Sequence, residues 1–270
     1  MTEPPASGGS HVRLPDGFAW ASAPWGPVLT STALSPVFRH LFTTRELRFR
    51  GGRARRDWAR VAEELGLRPD RLLRPRQVHG TSIAIKRRGE EPSGWRTEPP
   101  RADIILTDDP GVAVAVQVAD CVPVLIADRR TGAVAAVHAG WRGTARRVVQ
   151  VAIAALGEAF RSRPSDLVAA LGPGIGPCCY EVGSELPGVF AAAGHPPAER
   201  DRWFAWSEDG KVRLDVPSAN RDQLLAAGLA PDAIHVAGLC TASHPGLFYS
   251  YRREGPGTGR IIGVIRARGD

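Results

Sequence analysis

A cysteine and a histidine standing 17 residues apart, Cys121 and His138, are the pair whose types and spacing point to chemistry. Thiolate and imidazole are donors that hold zinc, and they are also a nucleophile and its base. They flank two short apolar runs, 122–127 and 133–137, joined by Arg129-Arg130-Thr131-Gly132. If Arg129 faces Gly132 across a tight turn, Cys121 lies opposite Gly140 and His138 is its diagonal neighbour on the same face. Diagonal Cβ atoms in a sheet stand about 7 Å apart or less, so both side chains reach one metal ion. Residues 112–118 read as the first strand of an up-down-up meander, which brings Asp120-Cys121 and His138 to one sheet edge.

Directly after His138 comes Ala139-Gly140-Trp141-Arg142-Gly143-Thr144. Apolar residues at 145, 148, 149, 152, 153, 156 and 160 predict a helix over 144–160, capped by Thr144. Its N-terminal amides, those of Gly143 and Thr144, together with the Arg142 guanidinium, form an expected anion site suited to phosphate. A loop histidine, His79, precedes the strand-like run at 82–87. A glycine- and proline-rich loop at 172–181 carries Cys178, Cys179 and Glu181. The vicinal cysteines are not assigned as ligands, because adjacent backbone positions do not readily aim two thiols at one zinc.

The elements that must position these groups are short. Strands are expected at 38–43, 82–87, 103–107, 112–118, 122–127, 134–138, 167–171, 211–214, 234–239 and 261–266. Helices are expected at 54–65, 144–160, 184–193 and 217–228. Runs of strands followed by isolated helices give an α+β (mixed α/β) domain, a large mixed β-sheet sandwich with flanking helices, rather than a βαβ repeat. Residues 1–12 read as a disordered lead-in, 13–270 as one domain, and 90–100 as a surface loop.

With 270 residues, 43% of them hydrophobic, the chain is long enough to fold without disulfides or a structural metal. No apolar run approaches the roughly 20 residues of a membrane span. Residues 1–10 lack the basic and apolar regions of a secretory leader, so a cytoplasmic location is expected. The net charge is +7, and all basic residues except Lys86 and Lys211 are arginine. The arginines are scattered without interleaved aromatics, which argues against nucleic acid and leaves small anions open.

Five motifs in order then resemble one family: Gln77-Val78-His79-Gly80, Ala119-Asp120-Cys121-Val122-Pro123-Val124, Val137-His138-Ala139-Gly140-Trp141-Arg142-Gly143, the segment 172–183, and Ser250-Tyr251-Arg252-Arg253. They are similar to the YfiH-like proteins, labelled laccase-domain or multicopper polyphenol oxidase and described as purine nucleoside phosphorylases with adenosine deaminase and methylthioadenosine phosphorylase activity. The resemblance implies a fold shared with a bacterial deamidating toxin of the cysteine-hydrolase type. It also implies one zinc per chain, held by His79, Cys121 and His138, with purine nucleosides and phosphate as partners. Asp120 and Glu181 are then candidates for the acid that serves the leaving group, and Gln77, Arg45 and Arg142 for substrate and phosphate binding. After Arg45 the chain departs from the family pattern: Glu46-Leu47-Arg48-Phe49-Arg50-Gly51-Gly52 runs straight into the helix, without the family's asparagine-leucine-glycine segment.

Three other readings compete. A multicopper oxidase needs about ten histidines in H-x-H pairs, and this chain has seven histidines and no such pair, so copper is rejected. A metal-free hydrolase would use Cys121 as nucleophile and His138 as base. A binding protein would keep the zinc as a structural clip.

Overall fold

The apolar runs pair into two stacked sheets, and the chain between Val118 and Val122 crosses from one to the other. The computed structural model describes residues 12–35, 37–92, 94–95 and 97–269, so all but residue 12 of the expected lead-in lies outside the described residues. In chain order the strands are β1 (Phe18–Ala23), β2 (Gly26–Ser31), β3 (His40–Thr43), β4 (Leu72–Leu73), β5 (Ile83–Lys86), β6 (Ile104–Thr107), β7 (Ala113–Val118) and β8 (Val122–Asp128). They continue with β9 (Val134–Ala139), β10 (Leu167–Leu171), β11 (Glu181–Val182), β12 (Phe204–Trp206), β13 (Val212–Leu214), β14 (Ile234–Val236) and β15 (Ile261–Arg266). The helices are α1 (Ala54–Glu64), α2 (Trp141–Ala145), α3 (Val148–Phe160), α4 (Leu186–Ala192), α5 (Pro197–Trp203), α6 (Val216–Ala226) and α7 (Tyr251–Glu254).

One six-stranded sheet runs β1-β2-β3-β15-β7-β4 and the other β14-β10-β8-β9-β6-β5, with a small sheet β11-β13-β12 beside them. Both large sheets are mixed: β4 runs parallel to β7, β5 to β6 and β14 to β10, while the remaining neighbours are antiparallel. Between the sheets lie Phe42, Val114, Val116, Leu125, Ala136 and Val168. The outer face of the first sheet packs Ile262 and Val264 against Trp58 and Val61 of α1. The outer face of the second packs Val124, Ile126 and Val137 against Val149, Ile153 and Leu156 of α3. The result is a layered sandwich, helix over sheet over sheet over helix. Strands buried on both faces are read as continuous apolar runs, which is why β7 to β9 were legible.

The meander is corrected. β7 pairs with β15 and β4, and of the three expected meander strands β8 and β9 alone pair with each other. The register of that hairpin is the expected one, with Pro123 opposite His138 and Val122 opposite Ala139. The helix expected over 144–160 is corrected too. It is two helices, broken where Arg147 takes a left-handed conformation (φ 58°), and the first begins at Trp141 with Gly140 at its cap position. The hairpin β1–β2 escaped the pattern reading because small residues alternate with aromatics around Pro24 and Pro27. The short helix α5 escaped it because it is largely polar.

Candidate metal centre

His79, Cys121 and His138 come from three separate places and converge: their ligand atoms all lie within 4.8 Å of one another. Cys121 ends the crossing between the sheets, His138 sits near the end of β9, and His79 lies on the loop between β4 and β5. The two imidazoles meet edge to face, with ring centroids 4.7 Å apart. His138 is buried, Cys121 half-buried and His79 exposed, so the donor set opens to solvent on the His79 side. The neighbouring Gly140 leaves room for this: a Cβ there would stand 2.9 Å from the Cys121 sulfur and 3.4 Å from His79 Cδ2. Two imidazoles and a thiolate with one open side fit the donor set of a catalytic zinc, and these residues can hold a metal ion.

Asp103 holds the centre together, and sequence reasoning missed it. Its fully buried carboxylate accepts the N–H groups of Val78, His79 and Gly80, the last at 2.6 Å. It also accepts the Nδ1–H of His138 at 2.8 Å, which turns Nε2 toward Cys121. One carboxylate thereby fixes the His79 loop, itself in a left-handed turn (φ 59°), and the tautomer of His138. The aspartate is 35 residues from His138 in sequence, and it stood in the reading only as the first residue of an apolar strand. No local signal marked it.

Burial alone would push the Cys121 thiol up, but the charge and hydrogen bond of His138, with His79, bring it down to about 6. Burial would likewise push His138 down, and Cys121 and Asp103 outweigh it, raising the imidazolium to about 9. A metal needs both groups unprotonated. Its affinity therefore climbs with pH up to about 9, and falls most steeply on acidification below about 6, where the thiolate is also lost. Chelator competition between pH 5 and 9 measures this; a flat profile would contradict these three donors.

The remaining expected site residues divide. Asp120, with φ 88°, accepts from the Thr241 hydroxyl at 2.7 Å and the Arg252 N–H at 2.6 Å. Its carboxylate anchors the turn that presents Cys121. Gln77 spends both ends of its amide on the backbone of Gln117, so it clamps the His79 loop to β7 and does not face a substrate. The Thr144 N–H already donates to the Gly140 carbonyl, and its hydroxyl accepts from Asn220, so the expectation that the Thr144 amide is free for phosphate is corrected. Gly143 is buried, close to the Gly80 carbonyl and Val148. The Glu181 carboxylate is exposed, 3.8 Å from Lys211, and only its carbonyl meets the site segment, through Arg252. Arg45 reaches Pro245, Glu254 and the Tyr249 ring, and lines a cavity of about 390 Å³ with Arg48, Arg53, Arg56 and Arg60.

The exposed Arg142 guanidinium lies over the Trp141 ring at 4.4 Å. Arg252 lies over the Tyr180 ring at 5.2 Å. Burial pushes the Tyr180 hydroxyl up to about 12, with the Cys121 thiolate and Asp120 adding to it and Arg252 and Arg142 opposing. Cys121, Arg142 and Arg252 thus all act on the charge of the Tyr180 hydroxyl. Tyr180 and Arg252 were visible in two motifs, but spacing alone gave them no role.

Residues 51–268 match the sequence profile of the family described as multi-copper polyphenol oxidoreductase laccase. The chain belongs to this family, the YfiH-like proteins. A Geobacillus stearothermophilus relative named purine nucleoside phosphorylase YlmD is 36% identical over 212 residues, 77% of each chain. A Streptomyces griseus relative named purine nucleoside phosphorylase ORF3 is 33% identical over 97% of this chain and 96% of its own. The crystal structure of the hypothetical protein YfiH of Bacillus licheniformis superposes with a TM-score of 0.82 at 28% identity, covering 89% of this chain and 96% of that one. The YfiH-like fold expected from the motifs is the fold observed. In this YfiH-like chain the other histidines include two with purely structural roles: His40 bridges Ser31 and Phe38, and His195 bridges Ala145 and Glu199. Among the described residues no helix is long and apolar enough to cross a membrane.

Proposed function

We propose that this YfiH-like chain is a zinc-dependent purine nucleoside phosphorylase, acting on adenosine, inosine, guanosine and methylthioadenosine, with adenosine deaminase activity. The observation that carries the reading is the convergence of His79, Cys121 and His138 behind Asp103, in a chain whose relatives are named purine nucleoside phosphorylases. Zinc bound by the three residues would supply a Lewis acid beside the substrate. Asp103 and Gln77 hold the donors in place. Arg142 and Arg252 bring two guanidinium groups to the opening, where they bind and orient phosphate. Tyr180, kept protonated, offers an O–H donor to the nucleoside. In phosphorolysis a phosphate oxygen bonds to the anomeric carbon as the bond to the purine nitrogen breaks, and the purine leaves with a proton. In deamination, water replaces the amine at C6 and ammonia departs. A cytoplasmic location belongs to the same reading, because a reducing compartment keeps the Cys121 ligand free.

Elemental analysis of protein purified without added metal, combined with inosine phosphorolysis, tests the proposal. About one zinc per chain and phosphate-dependent release of hypoxanthine are expected; full copper occupancy without zinc overturns it. Arg142→Ala should raise the KM for phosphate more than about tenfold, since a charge-assisted hydrogen bond contributes roughly 1.5–3 kcal/mol. An unchanged phosphate dependence would move the phosphate to Arg45 and its arginine-lined cavity.

A second reading has its own observation. The lowered Cys121 and raised His138 form a thiolate–imidazolium pair, the activated state of a metal-free cysteine hydrolase. The exposed His79 is neither the nucleophile nor the base of such a pair and adds only to the lowering of the Cys121 thiol, so it separates the two readings.

A further inference from the structure

A second cluster of donors lies outside the metal centre. Cys178 and Cys179, on the loop between β10 and β11, meet Cys240, on the loop after β14, with the three sulfurs within 4.8 Å of one another. The two loops are tied by Gly174: its N–H donates to the Leu239 carbonyl and its carbonyl accepts the Thr241 N–H. The vicinal cysteines, not assigned as zinc ligands from the sequence, both turn their thiols toward Cys240. Their sulfurs are 3.7 Å apart, and the Ser243 hydroxyl stands 3.3 Å from each.

Metal–sulfur bonds of about 2.3 Å place the sulfurs of a three- or four-coordinate ion about 3.8–4.0 Å apart, close to the separation of Cys178 and Cys179. The donor set is all sulfur, with one neutral hydroxyl and no imidazole ring nitrogen: the Nδ1 of nearby His244 is bonded to the Cys240 carbonyl. Three thiolates without nitrogen or carboxylate partners are a soft donor set that satisfies Cu(I) with three sulfurs alone, whereas a zinc ion here needs water or the weakly donating Ser243 as its fourth ligand. Cys178 is exposed and Cys240 buried, which provides an entry path and a fixed floor.

We infer that Cys178, Cys179 and Cys240 form a second metal site, distinct from His79, Cys121 and His138, that takes one soft thiophilic cation of the Cu(I) class. It neither requires nor supplies the proposed phosphorylase chemistry.

The test is an anaerobic titration of the reduced, zinc-loaded protein with Cu(I) against a coloured Cu(I) chelator, following thiolate-to-copper absorption. One tightly held Cu(I) is expected in the natural sequence and in Cys121→Ala. Its affinity should fall by at least about a hundredfold in Cys178→Ser and in Cys240→Ser. The exposed position of Cys178 keeps the first of these informative even where the buried Cys240→Ser fails to fold. Inosine phosphorolysis should survive Cys178→Ser. Cu(I) binding unchanged in Cys178→Ser, or lost only in Cys121→Ala, overturns the inference.

Discussion

His79→Ala should strip the metal and abolish inosine phosphorolysis and adenosine deamination together. His79 contributes one of three protein donors, and losing a direct ligand costs more than the ten- to hundredfold that loss of an outer partner does, so affinity should drop by at least about a hundredfold. The substitution is gentle on the fold. The side chain is exposed, and the loop is held through the backbone N–H groups of residues 78–80, which Asp103 still accepts. The thiolate–imidazolium pair of Cys121 and His138 keeps its larger support, the charge of His138, and loses only the contribution of His79. A metal-free hydrolase should therefore keep most of its activity in this variant and ignore a chelator. Alkylation reads the same question from the other side. A metal-held Cys121 should resist iodoacetamide until the metal is removed, whereas a free thiolate near its value of about 6 reacts at once. Full turnover by verified zinc-free His79→Ala protein would decide for covalent catalysis.

The hairpin of β8 and β9, which positions Cys121 and His138, was legible because its turn is short and the turn sets the register. Pro123 opposite His138 follows from Arg129 facing Gly132. The partner of β7 was not legible, because both faces of β7 and β8 are buried and continuous apolar runs do not say which sheet a strand joins. The same limit hid the break at Arg147: a left-handed residue between two apolar-periodic segments leaves the helical period intact on either side. The candidate metal donors were legible through motif resemblance, whereas the residues that support them are joined by long-range contacts. Gln77 to Gln117 spans 40 residues and Asp120 to Thr241 spans 121, and neither pairing leaves a mark in local spacing. The thiol cluster left one local mark, the adjacent Cys178 and Cys179, which was set aside because adjacent backbone positions do not readily aim two thiols at one zinc; that Cys240 lies beside them is a long-range contact.

Asp103 is where fold and chemistry meet, and its two conservative replacements should part company. Asp103→Ala leaves three backbone N–H groups and the His138 Nδ1–H without their acceptor in a fully buried setting. Each orphaned donor costs about 1–3 kcal/mol, so the sum exceeds about 3 kcal/mol, and a large loss of Tm or outright unfolding is expected. Asp103→Asn keeps the shape and one carbonyl oxygen, so much of the loop's hydrogen bonding survives and the protein should fold. It removes the negative charge that holds His138 in its Nδ1–H form, and its amide hydrogens face donors on that side. His138 is then free to turn Nε2 away from Cys121. Metal affinity should fall ten- to a hundredfold in the folded Asn variant, with phosphorolysis falling in step and recovering as metal is added in excess. If Asp103→Asn binds metal as tightly as the natural sequence, the aspartate only staples the loop and the orientation of His138 is set elsewhere. If it folds, binds metal normally and still loses turnover, the carboxylate acts on the reaction itself rather than on the donors.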